Sequence, residues 1–208
     1  MPGDVRSFGR IVCVDEPSPD LLHPLLASRW SPTVFDPSKQ VSPAEVESLL
    51  EAARWAPSAG NSQPWAFIVT RRGEPDHDRL VRHLAASSGA WAPSAGVLIG
   101  NLSHRLVEDT DWEYSEFASY DLGQAVAHMN FQAQALGLFV RQFRAFDREA
   151  ITAEFDVPQH WEVTTMSAIG HVPAHASNPR TSNVPEKQRI RRPPASLQWP
   201  HTAATDAR

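Results

Sequence analysis

Ala56-Pro57-Ser58-Ala59-Gly60-Asn61-Ser62-Gln63-Pro64-Trp65 separates two segments of different periodicity, and the contrast decides the fold class. Upstream, Ser42 can cap a helix, Pro43 suits its first position and Glu45 closes a capping box. Val46, Leu49, Leu50 and Ala53 then recur at helical spacing, and Pro57 is expected to stop the helix. Downstream, Trp65-Ala66-Phe67-Ile68-Val69-Thr70 is short, apolar and β-branched, as a buried strand requires. The nine residues 56–64 are therefore a polar helix-to-strand loop.

Working outward, a charged helix is expected over residues 76–86 and a second strand over Gly96–Gly100. Glu108–Glu116 is an acidic segment carrying Trp112 and Tyr114, and residues 121–137 form the longest helical pattern. Leu122, Val126, Met129, Ala133 and Leu136 make one stripe on that helix, while Gly123, Ala127 and Phe131 make another. A helix apolar on two faces is covered on both, inside one subunit or between two, and we expect a dimer seam. Residues 139–143 and 162–170 read as two further strands, separated by a short helix that Asp147 can cap. Helices and strands in this mixed order give an α+β sandwich around one sheet. The expected organisation is an arm over residues 1–20, a domain over 21–176 and an extended tail over 177–208 that packs on a partner subunit.

Composition narrows the function. The 208 residues are 41% hydrophobic, enough for one sizeable core. A net charge of -5 gives no electrostatic reason for nucleic acid or an anionic membrane as partner. With one cysteine, Cys13, no disulfide can form within the chain, and no stretch has the roughly 18 apolar residues of a spanning helix. A cytoplasmic location is expected. No glycine-rich phosphate fingerprint occurs. His171 and His175 are separated by Pro173 and lack an acidic partner at zincin spacing, so no metal site is expected.

Several segments together resemble the flavin nitroreductase family across roughly residues 22–195. Arg29-Trp30-Ser31-Pro32-Thr33-Val34-Phe35 is similar to the family's Arg-Arg-Ser-x-Arg-x-Phe, with Trp30 and Thr33 standing where basic residues are usual. Ala56–Trp65 resembles its Pro-Ser-x-x-Asn-x-Gln-Pro-Trp loop, and Tyr120–Leu138 its central helix. Val140–Asp147 falls where the family covers one flavin face, with Ala145 at a position many members give to glycine. Arg189-Ile190-Arg191-Arg192-Pro193 matches a C-terminal basic element.

The resemblance implies an α-β-α sandwich with a mixed, mainly antiparallel sheet in an intertwined homodimer. It assigns Arg29, Trp30, Ser31, Thr33, Pro57, Ser58, Asn61, Gln63, Gln142, Phe143, Arg144, Arg189 and Arg191 to FMN. Trp112, Tyr114 and Phe117 lie where the family's substrate cover is found. A guanidinium fork suits a phosphate, and an amide side chain suits a flavin edge that alternates donors and acceptors. The implied activity is two-electron ping-pong hydride transfer from NAD(P)H to a small acceptor such as a nitroaromatic, quinone or activated alkene, with no side-chain nucleophile. Two alternatives stay open: an oxidase or dehydrogenase of a small metabolite, and a flavin-binding protein without turnover.

Overall fold

A computed structural model of the protein describes residues 21–174 and 191–199. The arm over residues 1–20 with Cys13, most of the tail, and Arg189 lie outside the described residues. The helix expected from the capping box is present as α2, Pro43–Arg54, after a short α1 at Pro24–Ser28. Ser42 Oγ accepts the Glu45 N–H at 3.2 Å, and Glu45 Oε2 accepts the Ser42 N–H at 2.7 Å. Such caps stabilise a helix by about 0.5–2 kcal/mol.

Four strands follow: β1 Trp65–Arg71, β2 Val97–His104, β3 Phe139–Phe143 and β4 Trp161–Gly170. Their spatial order is β1-β2-β4-β3, and every pairing is antiparallel. Among the described residues the sheet is antiparallel throughout, in keeping with the mainly antiparallel sheet expected. β2 runs four residues past the apolar stretch that announced it. The extension is possible because Asn101 Nδ2, wholly buried, bonds Thr165 Oγ1 and Ser167 Oγ on β4 at 3.0 Å each. The Asn101 amide donors are thus satisfied by side chains of the neighbouring strand, whereas its Oδ1 has no partner among the described residues.

The expected helix over 76–86 is two pieces, α3 Pro75–Val81 and α4 Ala86–Gly89. The break has a tertiary cause: Leu84 forms an isolated antiparallel bridge with Phe146. Ala85 N–H donates to the Ala145 carbonyl and Asp147 N–H to the His83 carbonyl. These backbone groups bond across the fold, so the helix cannot use them.

Helices cover both sheet faces. The long helix α5, Ala118–Ala135, packs with α2 over Val97, Ile99, Val140 and Ile169. On the other face, Leu80 of α3 and Ile151 of α6, Arg148–Glu154, join Phe35, Leu98, Met166 and Ala168. Asp147 caps α6 by accepting the Ala150 N–H at 3.0 Å. The architecture is therefore the three-layer sandwich expected from the sequence. Of the two stripes on α5, Leu122, Val126, Met129 and Ala133 are buried, but Leu136 is not. Gly123 and Phe131 on the other stripe are open to solvent, and a Cβ built on Gly123 meets nothing within 4 Å. No helix among the described residues is long and apolar enough to cross a membrane.

Candidate functional site

The loop between α2 and β1 is held in an unusual backbone conformation. Gly60, Asn61 and Gln63 have φ of 58°, 57° and 46°, so two non-glycine residues occupy the left-handed region. Strain of this kind persists only where surrounding contacts over-determine it, and it concentrates at functional sites. Those contacts are visible. Asp121 Oδ2 accepts the Ala59 N–H at 3.0 Å, Ser58 Oγ accepts the Gln63 N–H at 3.0 Å, and Gln63 Nε2 reaches the Asn61 carbonyl at 3.3 Å. Pro57 is exposed, and the Asn61 side chain is left outside this network and exposed. The loop thus presents one amide, with a donor and an acceptor, from a fixed backbone.

Arg29 and Ser31 lie in a separate cluster. Arg29 Nη1 donates to Ser31 Oγ at 3.4 Å, Trp30 meets Phe139 edge-on with centroids 5.7 Å apart, and Phe35 is buried. Phe35 stacks at 6.3 Å on Trp91, which meets Phe143 edge-on at 5.0 Å. Trp91, unnoticed in the sequence, therefore joins the 29–35 segment to the end of β3. The indole N–H of Trp30 is buried without a partner among the described residues. Thr33 and Gln142 are exposed. The guanidinium of Arg141 lies over Trp91 and that of Arg144 over Phe146, each 4.7 Å from the ring centre. Such a placement fixes a cation without neutralising it.

Within one chain the two clusters stand apart. The Ser58–Gln63 loop leads into Trp65, which is level with Ser103 and Glu162 at one end of the sheet. Trp30 packs on Phe139, which pairs with Gly170 at the other end. Eight residues of β4 separate these levels, roughly 27 Å at strand rise. The same division appears on α5: Asp121 in its first turn holds the loop, whereas Gln134 Nε2 near its end bonds Ser28 Oγ beside Arg29 at 3.4 Å. Thirteen helical residues between them span about 20 Å. Arg191 is exposed and described, whereas its neighbour in the basic element, Arg189, is not.

The acidic segment is a closed hairpin. Leu106 bridges Glu113, and Val107 N–H donates to the Trp112 carbonyl at 2.8 Å. Trp112 is 77% exposed and Phe117 is half-exposed, as rings available to a ligand must be. Tyr114 is engaged instead: its ring stacks on His104 at 3.8 Å, and its hydroxyl donates to the Ser62 carbonyl at 3.0 Å. Asp121, His104 and Trp91 escaped sequence reading. The available signal was an acidic residue in the buried stripe of a helix otherwise small and apolar. No cluster of potential metal ligands occurs among the described residues.

Comparison with known proteins bears on the family likeness and the fold. The Nitroreductase family profile matches residues 26–90, which include both the Arg29 segment and the Asn61 loop. A protein of Archaeoglobus fulgidus, provisionally named NADH dehydrogenase/NAD(P)H nitroreductase, is 28% identical over 156 residues, 71% of this chain and 83% of its own. A crystal structure described as an oxidoreductase containing FMN superposes with a TM-score of 0.71 at 29% identity, over 79% of this chain and 84% of that one. A nitroreductase family protein of Clostridium difficile shares the fold, with a TM-score of 0.67 at 23% identity over 86% of this chain and 97% of that one. By family profile, by curated relatives and by fold, the chain is similar to proteins of the nitroreductase family.

Proposed function

We propose that the protein is an FMN-dependent oxidoreductase that transfers two electrons, by a ping-pong cycle, from NAD(P)H to a small acceptor such as a nitroaromatic, quinone or activated alkene. The observation that carries this reading is the braced loop that offers the exposed Asn61 amide. The donor set fits a phosphorylated isoalloxazine: a guanidinium and hydroxyl at Arg29 and Ser31, and an amide at Asn61. The names of the relatives point the same way, since they include an NAD(P)H nitroreductase and an FMN-containing oxidoreductase.

FMN would supply the hydride chemistry. Arg29 and Ser31 bind the phosphate, with Arg191 and Arg189 of the C-terminal element as further cations. Ser58, Asn61 and Gln63 orient the ring edge. Gln142, Phe143 and Arg144 border one face, with Arg144 held by Phe146. No side chain acts as nucleophile. Trp112 and Phe117 receive the acceptor.

The separation of the clusters supports a site built by two copies. A stripe of exposed Tyr120, Gly123 and Phe131, with Ala127 half-buried among them, runs along α5. A two-fold axis normal to this stripe sets α5 antiparallel to its copy, so the Asp121 end of one chain meets the Gln134 end of the other. The Asn61 loop of one copy then approaches the Arg29 and Ser31 of its partner. A groove beside the edge of β1 that is unpaired among the described residues, with Val46, Leu50 and Val69 in its floor and Glu47, Arg54 and Arg71 at its rim, can take the partner's C-terminal tail. We place the homodimer in the cytoplasm, in keeping with its single cysteine.

Protein made in flavin-replete cells should be yellow, release FMN on denaturation, and lose its visible colour within milliseconds to seconds of mixing with NADH or NADPH under anaerobic conditions. Colourless protein that takes up no added FMN overturns the cofactor assignment. Yellow protein that nicotinamides leave oxidised, but a small metabolite reduces, identifies the oxidase or dehydrogenase alternative.

A further inference from the structure

We propose that Tyr114 is a positioning residue for the cofactor loop, its hydroxyl fixing the Ser62 carbonyl while its ring is locked in a three-ring stack with His104 and Trp161. The inference rests on the FMN reading above and assigns to Tyr114 a task other than contact with substrate.

The geometry separates the two functions of the side chain. Tyr114 and His104 stack at 3.8 Å with planes 20° apart, and the other face of His104 meets Trp161 at 4.5 Å and 11°. Tyr114 lies on the hairpin, His104 ends β2 and Trp161 begins β4. The stack therefore ties the hairpin to the end of the β2–β4 pair. Its base is secured by Arg105 N–H to the His160 carbonyl at 2.8 Å and Tyr114 N–H to the Arg105 carbonyl at 3.0 Å. With the ring held, the hydroxyl has a fixed position 3.0 Å from the Ser62 carbonyl, 52 residues away in sequence.

That carbonyl belongs to the peptide linking Ser62 to Gln63, and Gln63 is one of the two left-handed non-glycine residues. Orienting this peptide plane restrains ψ of Ser62 and φ of Gln63 together, which an unfavourable conformation requires from outside. Asp121 performs the corresponding task at the other end of the loop through the Ala59 N–H. The Asn61 amide lies between the two anchor points, so its direction toward the flavin edge depends on both.

Tyr114→Phe keeps the stack and deletes only the hydroxyl. We expect the melting temperature of the cofactor-free chain to fall by no more than about 4 °C and the FMN dissociation constant to rise about three- to tenfold, the range for loss of one partly exposed hydrogen bond. The visible absorption and circular dichroism of bound FMN should shift, and amide hydrogen exchange over residues 60–64 should quicken with no FMN added. Trp161→Leu, which removes the far ring but leaves the hydroxyl, should weaken FMN binding in the same direction. Wild-type affinity, spectra and exchange in Tyr114→Phe overturn the proposal. If the wild type binds no FMN, the cofactor reading fails, and the proposal of a cofactor-positioning role fails with it. The exchange measurement still reports whether the hydroxyl holds the loop.

Discussion

The Asp121 carboxylate, buried in the first turn of α5, accepts the Ala59 N–H at 3.0 Å across 62 residues of sequence. It also accepts from Gln124 Nε2 at 3.2 Å, so both its oxygens are used. A buried carboxylate is costly unless each lone pair has a donor, and here it lies near the helix start, where the dipole favours negative charge. The site loop is thereby coupled to the helix that forms the candidate dimer seam.

Asp121→Ala strands the Ala59 N–H and should cost about 1–3 kcal/mol, since an unsatisfied buried group bears its desolvation penalty. The melting temperature is expected to fall by roughly 3–10 °C. FMN affinity should fall with it, whereas Asp121→Asn, which keeps one acceptor oxygen, should lose less of both. Thermal denaturation and FMN titration of the two variants check the order.

Gly123 has open space where a side chain would stand, so a larger residue there is harmless to an isolated chain. Replacing glycine by alanine within a helix ordinarily stabilises it by about 0.5–1 kcal/mol. Gly123→Arg is therefore expected to fold, yet to give monomers with little bound FMN. Light scattering with flavin quantification decides the point; a fully flavinated dimer of the variant excludes this face as the seam.

Trp112 is 77% exposed and stands two residues from Tyr114 on the hairpin. Trp112→Ala should leave stability within about 0.5 kcal/mol. An aromatic acceptor should show a KM raised about three- to tenfold, from loss of one ring contact, with kcat little altered. Steady-state kinetics with a nitroaromatic and with a non-aromatic acceptor test this, because only the first should respond.

Acid should loosen the α3–α6 junction. Glu154 Oε1 accepts from Arg79 Nε at 2.7 Å, and Oε2 meets His83 Nε2 at 3.1 Å. Chiefly through the Arg79 bond, and then His83, its pKa falls from the ordinary 4.5 to about 2. The unfolded chain then binds a proton more readily than the folded one, so this stabilisation is complete above pH 4.5 and is lost as pH falls from there toward 2. Glu154→Gln should be less stable at neutral pH and show a flatter melting profile across that window.

Much of the local architecture is legible along the chain because its causes are local. The Ser42–Glu45 box and the Asp147 cap act over three residues, and both are present. The apolar run at Trp65 and the long stripe through Leu122 and Met129 lead to β1 and α5 within a few residues of their expected bounds. The errors arise where distant partners intervene. Leu84 bridges Phe146 and divides the expected helix, while Asn101 finds Thr165 and Ser167 and carries β2 beyond its apolar stretch. The site follows the same division: the order of residues around Asn61 identifies the loop, but nothing near Tyr114 in sequence announces Ser62.

By itself the sequence determined the residue types available for chemistry, the helices and strands that carry them, and the family they resemble, since caps, periodicity and loop composition operate within a few residues. Tertiary structure alone decided that Asp121 and Tyr114 brace the loop from either side. It also decided that Arg29 and Asn61 stand at opposite ends of one sheet. Those relations depend on how strands register and helices pack, and these are fixed by burial summed over the whole chain.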